Sequence, residues 1–366
     1  MKYDPPFQHT SGLWPVLVVF ACLALAPLVL TETYTRHVLI LVFVFAVIAT
    51  NWDVSLGLGG IFNFAHLAFF AIGLYSYAIL AKVVGVDPWV SMAIAPVFAV
   101  AFAACLAVPI LRLDGVYVIL VTIAAAQLLL QVVVSQSSVT GGTGGMVLLP
   151  HLKLAGERLS SNNRLGFYYL GLALLVVSTW FVYTLERSSV GRAMKAMRDN
   201  KYFAIARGVS EARMRLVTLC LSAIFPALAG GFYGAYLRVA SPDVFGLSFL
   251  TLSLSILLLG GVATLWGPII AAFVVVGLSQ ALADFGAWRD IVIAVAIIGV
   301  IAVYPGGLFA VLQELRHQLE RAHTAWCARW ARRSTASDRA RLMGVPDRLM
   351  QTRHGAISVC DTGRGD

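Results

Sequence analysis

Apolar runs separated by short polar turns fill most of this 366-residue chain, near 13–30, 37–50, 61–81, 90–111, 115–134, 167–185, 216–237, 246–261, 267–284 and 289–305. A helix needs roughly 17–25 such residues to cross the hydrocarbon core of a bilayer. The second run is short unless it continues through Asn51. Long alternating-strand patterns are absent, so the pattern predicts an all-α polytopic membrane protein of about ten transmembrane helices.

Polar residues break this pattern in three places. Asn51 to Tyr77 sets Asn51, Asp53, Ser55, Asn63 and His66 at membrane depth, with Gly57, Gly59 and Gly60 between them. Polar groups there are costly against lipid, so they are expected to face a cavity, a partner span or an interface. The glycines permit a broken span or a short re-entrant segment. A second reading puts residues 51–60 at the cytoplasmic surface, where polar groups cost little. The second interruption, Glu186 to Arg215, carries eight Lys/Arg against three acids and contains the helix-forming runs AMKAM and YFAIA, with Gly208 placed to end a short helix. The third, Ser135 to Gly166, holds Thr140, Gly141, Gly142, Thr143, Gly144 and Gly145, either a flexible turn or a loop whose backbone approaches a ligand or protein closely.

Charge turns the pattern into a topology. Lys and Arg flanking spans resist translocation, so the basic island faces the cytoplasm. Six predicted spans precede it and four follow, which places both termini in the cytoplasm and the 135–166 loop outside. The net charge of +9 comes mostly from the island and from the tail beyond Gln313, which has ten Arg against six acids. Positive-inside topology accounts for that excess, so nucleic acid is not an expected partner. The tail is predicted to begin as an amphipathic helix on the inner leaflet and then to lose order.

Hydrophobic residues make up 59% and charged residues 12% of the chain, which excludes an ordinary soluble domain. The five cysteines and seven histidines form no disulfide framework, no metal-ligand spacing and no H-E-x-x-H. No cofactor or catalytic residue is expected. No G-x-x-x-x-G-K-[ST] occurs, so ATP-driven work needs a motor on another chain. Ala227, Gly230, Gly231 and Gly234 recur at helical spacing, as helix-packing faces in lipid do, and Pro226 is expected to kink their span. Gly260 to Pro268, GGVATLWGP, is expected to form a tight inner turn.

Taken together, G-R-A-x-x-A-x-R-D-N at Gly191 to Asn200, the glycine at Gly208, the GGVATLWGP turn, TGGTGG, SPDVF at Ser241 to Phe245 and YPGGLF at Tyr304 to Phe309 resemble the permease subunits of ATP-binding-cassette importers for branched-chain amino acids. The N-F-A-H quartet at Asn63 to His66 is more similar to the sister permease of such importers. The resemblance implies an ABC-importer permease domain over 37–310, after an N-terminal segment 1–36 with the first span and before a basic tail 311–366. It implies a bacterial inner-membrane location and a heterodimer with a sister permease, two cytoplasmic ATP-binding subunits and a periplasmic binding protein. Arg192, Arg198, Asp199, Asn200, Tyr202 and Gly208 would couple to the ATPase. Asn51, Ser55, Gly57, Gly60, Asn63 and His66 would lie along the translocation path, and the Thr140 to Gly145 loop near the binding protein. Urea, amides or other small solutes, and an ion-coupled secondary transporter, are the alternatives.

Overall fold

The structure is a computed structural model that describes residues 32–154, 157–158 and 164–282, with a few residues on either side. The chain divides into two compact units, Met1–Phe309 and Ala310–Asp366, and the described residues belong to the first. Most of the expected first span near 13–30 and of the last near 289–305, together with YPGGLF and the tail, lies outside the described residues.

Among the described residues, six helices are long and apolar enough to cross a membrane, and two shorter apolar helices follow. The long ones are α1 (Thr33–Asp53), α2 (His66–Ala78), α3 (Pro88–Ile110), α4 (Val116–Ser135), α5 (Leu165–Arg187) and, beyond two short helices, α8 (Glu211–Leu237). Those two intervening helices are α6 (Ser189–Asp199) and α7 (Lys201–Ala206); α9 (Leu247–Gly260) and α10 (Gly267–Ala281) are the shorter apolar ones. Wider π turns extend α1 through Leu58 and α2 through Val84. The span expected over 37–50 is thus a longer helix that runs past Asn51 to the glycines.

Helix α1 is the axle of the bundle. It is apolar on all sides from Ile40 to Ala49 and buried there throughout, as a helix enclosed by others must be. It packs on α5, α8, α9 and α10. Its apolar surround explains why its polar residues are expensive to place and need partners.

The small-residue face of α8 crosses α2 at backbone distance. A Cβ on Gly230 would overlap the carbonyl oxygen of Phe70, and a Cβ on Gly73 would overlap that of Ala227. Gly234 faces Leu74 and Gly231 faces Met92 on α3. Close backbone approach through small residues holds helices together where lipid supplies no hydrophobic drive, so this face packs, as its spacing predicts. Pro226 lies inside α8 without ending it.

The loop after α4 is folded. Gly141, Gly142 and Gly145 take positive φ (77°, 60° and 68°) and turn the chain into Met146–Val147, which pairs antiparallel with Val239–Ala240. Thr140 Oγ1 donates to Gln136 O at 2.8 Å and accepts from Gly142 N at 3.2 Å. This short ladder and one pairing Lys153–Leu154 with Glu157–Arg158 are the only strands among the described residues of an otherwise helical chain. A Cβ on Gly145 would overlap Ala240 O, so TGGTGG and the SPDVF stretch that follows Ala240 form one platform, with Gly141, Thr143 and Gly144 exposed.

Candidate functional site

The island folds as three capped helical starts. Ser188 Oγ accepts from Gly191 N at 3.1 Å to begin α6, Asn200 Oδ1 accepts from Phe203 N at 3.0 Å to begin α7, and Ser210 Oγ accepts from Arg213 N at 3.5 Å to begin α8. Each side-chain oxygen takes one of the amides that a helix start leaves open. Helix α7 ends at Gly208, whose φ of 86° is left-handed, with Gly208 N donating to Ile205 O at 2.9 Å and Val209 N to Ala204 O at 3.1 Å. The result is a two-turn knob that carries its apolar residues outward: Tyr202 is 83% exposed and Phe203 58%.

Beneath the knob lies a four-residue ion-pair clasp. Lys201 Nζ contacts Asp114 at 3.2 Å and Glu211 at 2.7 Å; Arg215 contacts Asp114 and, at 2.8 Å, Glu211. Arg215 also donates to Ile110 O and Leu113 O, both at 2.7 Å, taking carbonyls left open at the C-terminus of α3. The Arg215 and then the Lys201 hydrogen bonds hold the Asp114 carboxyl below its ordinary value near 3.8, while the Glu211 hydrogen bond raises Lys201 above 10.5. A lowered acid stabilises above its unfolded value and loses that contribution as pH falls through the folded one; a raised base stabilises below its unfolded value and loses it as pH rises past the folded one. The Asp114–Lys201 pair is therefore charged at every pH between these limits. Transport measured from pH 6 to pH 9 should show no titration from it, and an Asp114→Asn chain should show the same flat profile at a lower rate.

Arg198 and the glycine break meet on the same side. The Arg198 guanidinium donates to Gly57 O and pairs with Asp199 at 2.8 Å. Gly60, at φ 67°, leaves room for the Arg198 side chain, whose Cγ would sit 2.8 Å from a Cβ there. Asp53 Oδ1 accepts from Ala263 N at 2.8 Å, which holds the GGVATLWGP turn at a residue with φ 64°. Asp53 is only 6% exposed, so it does not face solvent; it clamps the glycine break to the GGVATLWGP turn. An Asp53→Ala chain should lose about 1–3 kcal/mol, the cost of a buried donor without a partner. A thermal midpoint in detergent lower than wild type would show it, with Asp53→Asn, which keeps an acceptor, nearer normal.

The residues expected along the path are brought together around α1, and all but the exposed Gly60 are buried inside the chain. Asn51 Nδ2 donates to Ser178 Oγ on α5 at 2.6 Å, Ser55 Oγ donates to Trp52 O at 2.9 Å, and Asn63 Oδ1 accepts from Ala65 N at 2.9 Å. His66 stacks on Trp52 with centroids 5.3 Å apart, and its Nε2 lies 3.2 Å from Ile48 O. Asn51 Oδ1, Asn63 Nδ2 and His66 Nδ1 are buried without a hydrogen-bond partner. Of the six, only Gly60 lines a cavity of about 250 Å³, which is walled also by Met194, Met197, Met214 and the clasp. The Thr140 to Gly145 loop sits at the opposite end of α8 from Glu211, beside Ala240. Arg192, on α6, donates to Arg187 O at the end of α5 at 2.6 Å.

Sequence reasoning overlooked Asp114. Its one signal is position: the sole acid in LRLDG, a turn that falls, by span count, on the same side as the island.

The family described as branched-chain amino acid transport system, permease component, matches residues 34–301. The chain belongs to this family. It is 26% identical to the high-affinity branched-chain amino acid transport system permease protein LivM of Escherichia coli K12, over 80% of this chain and 74% of that one. It is 24% identical to the permease protein LivH of the same organism and system, over 72% of this chain and 90% of LivH. The autoinducer 2 import system permease protein LsrC of Enterobacter sp. 638 is 28% identical over 40% of this chain and 45% of its own. No solved structure matches the chain. This permease is a multi-pass membrane protein and a transport subunit rather than an enzyme.

Proposed function

We propose that the chain is the LivM-like half of an ATP-driven importer that moves branched-chain amino acids inward by alternating access. The observation that carries the reading is the exposed, doubly capped knob Lys201 to Gly208, tied by Asp114, Glu211 and Arg215 to the inner ends of α3, α4 and α8. A motor that presses on Tyr202 and Phe203 has a stiff route into three spans. Arg192, Arg198, Asp199 and Asn200 shape and hold that contact.

The full pore would have about ten spans per chain, both termini inside, and a sister permease opposite. Two ATP-binding subunits would grip the knobs, and a periplasmic binding protein would dock on the Thr140 to Gly145 platform. Gly57 and Gly60 would form the inner mouth of the path. Asn51, Ser55, Asn63 and His66 would open onto it as the spans tilt, when their three buried partnerless atoms would meet water or solute. ATP drives such a cycle only if the two pore states bind the motor differently.

Gentle detergent extraction of the tagged chain followed by mass spectrometry tests the assembly. Recovery of a second permease and an ATPase is the expected result. A chain that extracts alone from membranes in which it transports would contradict it.

A further inference from the structure

Helix α4 is the most outward of the long helices, with 17% of its apolar window buried. It turns Val118, Thr122 and Val133 toward the bundle. At 100° per residue, the side opposite those three is occupied by Tyr117, Leu120, Ala124, Gln127, Gln131 and Ser135, and all six are exposed. Gln127 lies within one turn of the helix midpoint, hence near the middle of the bilayer. Among the described residues, neither glutamine carboxamide makes a hydrogen bond.

A lipid-facing side would not read this way. The exposed positions of the neighbouring α3 include Ala93, Ile94, Val97, Phe98, Ala101 and Val108, without one carboxamide or charge. A carboxamide has donors and acceptors that hydrocarbon cannot satisfy, whereas glutamines facing another span or a wet cavity can bond there. The inner end of α4 carries a further mark. Asp114, two residues before the helix, is the acid gripped by Lys201 and Arg215, so the coupling segment holds the base of this same helix.

We propose that the Leu120–Ala124–Gln127–Gln131–Ser135 face of α4 lies toward the sister permease and walls the water-filled path between the two chains. The two carboxamides then offer donors and acceptors to the carboxylate and ammonium of the solute. This rests on the importer reading above. A stroke at the knob, carried through Asp114, swings that wall.

The test uses the whole complex with Cys22, Cys105, Cys220, Cys327 and Cys360 replaced. Gln127→Cys and Gln131→Cys chains should react with a charged, membrane-impermeant methanethiosulfonate, while Ile94→Cys and Val97→Cys chains should not. Gln127→Leu should lower leucine uptake about ten-fold, the loss expected when one hydrogen bond to a charged group disappears, with Gln127→Asn partly restoring it. Thiols at 127 and 131 that stay inert, in a complex that retains its sister permease and ATPase, would put this face in lipid and overturn the proposal while leaving the importer reading intact. If the parent complex contains neither partner, the importer reading fails and the proposal with it.

Discussion

Replacing Gly230 by valine should leave almost no correctly folded chain in the membrane. A Cβ at this position would overlap the carbonyl oxygen of Phe70 and stand 2.8 Å from Leu74 N, and neither atom belongs to a side chain that can swing aside. Relief requires α2 and α8 to separate. That would undo the reciprocal contact of Gly73 with Ala227 and loosen Gly234 against Leu74. Overpacking a core ordinarily costs about 1–3 kcal/mol because side chains yield; with backbone on both sides the loss should exceed that range. The readouts are the yield of monodisperse protein in detergent and its thermal midpoint. Gly277→Ala on α10 is the control, because a Cβ there meets nothing within 4 Å. A Gly230→Val chain with normal yield and midpoint would mean that α2 and α8 do not cross at this point.

Gly208→Val should do the opposite: normal assembly, little transport. Nothing lies within 4 Å of a Cβ at Gly208, so the substitution creates no clash with the bundle. What it disturbs is the φ of 86°, where an L side chain costs roughly 1–2 kcal/mol and a β-branched one is least tolerated. Helix α7 must then end differently, and Tyr202 and Phe203 leave the positions the clasp gives them. Uptake should fall about ten-fold or more, a factor that corresponds to only 1.4 kcal/mol of misplaced contact. ATPase activity should become less responsive to solute while chain abundance stays within about two-fold, as local strain of this size allows. Normal uptake by a well-expressed Gly208→Val chain would remove the knob from the coupling role. The two glycines therefore separate a defect of fold from a defect of transmission, which an alanine scan of polar residues alone would not do.

Much of this was legible along the chain, because in an oily sequence each polar interruption stands out. The basic segment announces itself through its charge, and its caps at Ser188, Asn200 and Ser210 are residue types that start helices for a stated reason. Gly230 and Gly234 are visible as a spacing. What the pattern hides is which distant polar groups meet. Asp114 in a five-residue turn looks like any interfacial acid until Lys201 and Arg215 close on it. Asp53 reads either as a surface residue or as one facing a cavity or partner span until Ala263, more than two hundred positions on, donates to it. The TGGTGG loop reads either as a flexible turn or as a backbone built for close approach, because glycine permits many conformations; its pairing through Met146–Ala240 shows a fixed turn. The central place of α1 was also unreadable, since an apolar helix facing lipid and one facing other helices have the same composition.

The measurement that bears most directly on the central claim is uptake of radiolabelled leucine into proteoliposomes holding the purified complex, with ATP on the side of the knob. The expected result is uptake that requires ATP and the binding protein, is competed by isoleucine and valine but not urea, and collapses with Gly208→Val. Uptake that ignores ATP and follows an imposed ion gradient would contradict the account.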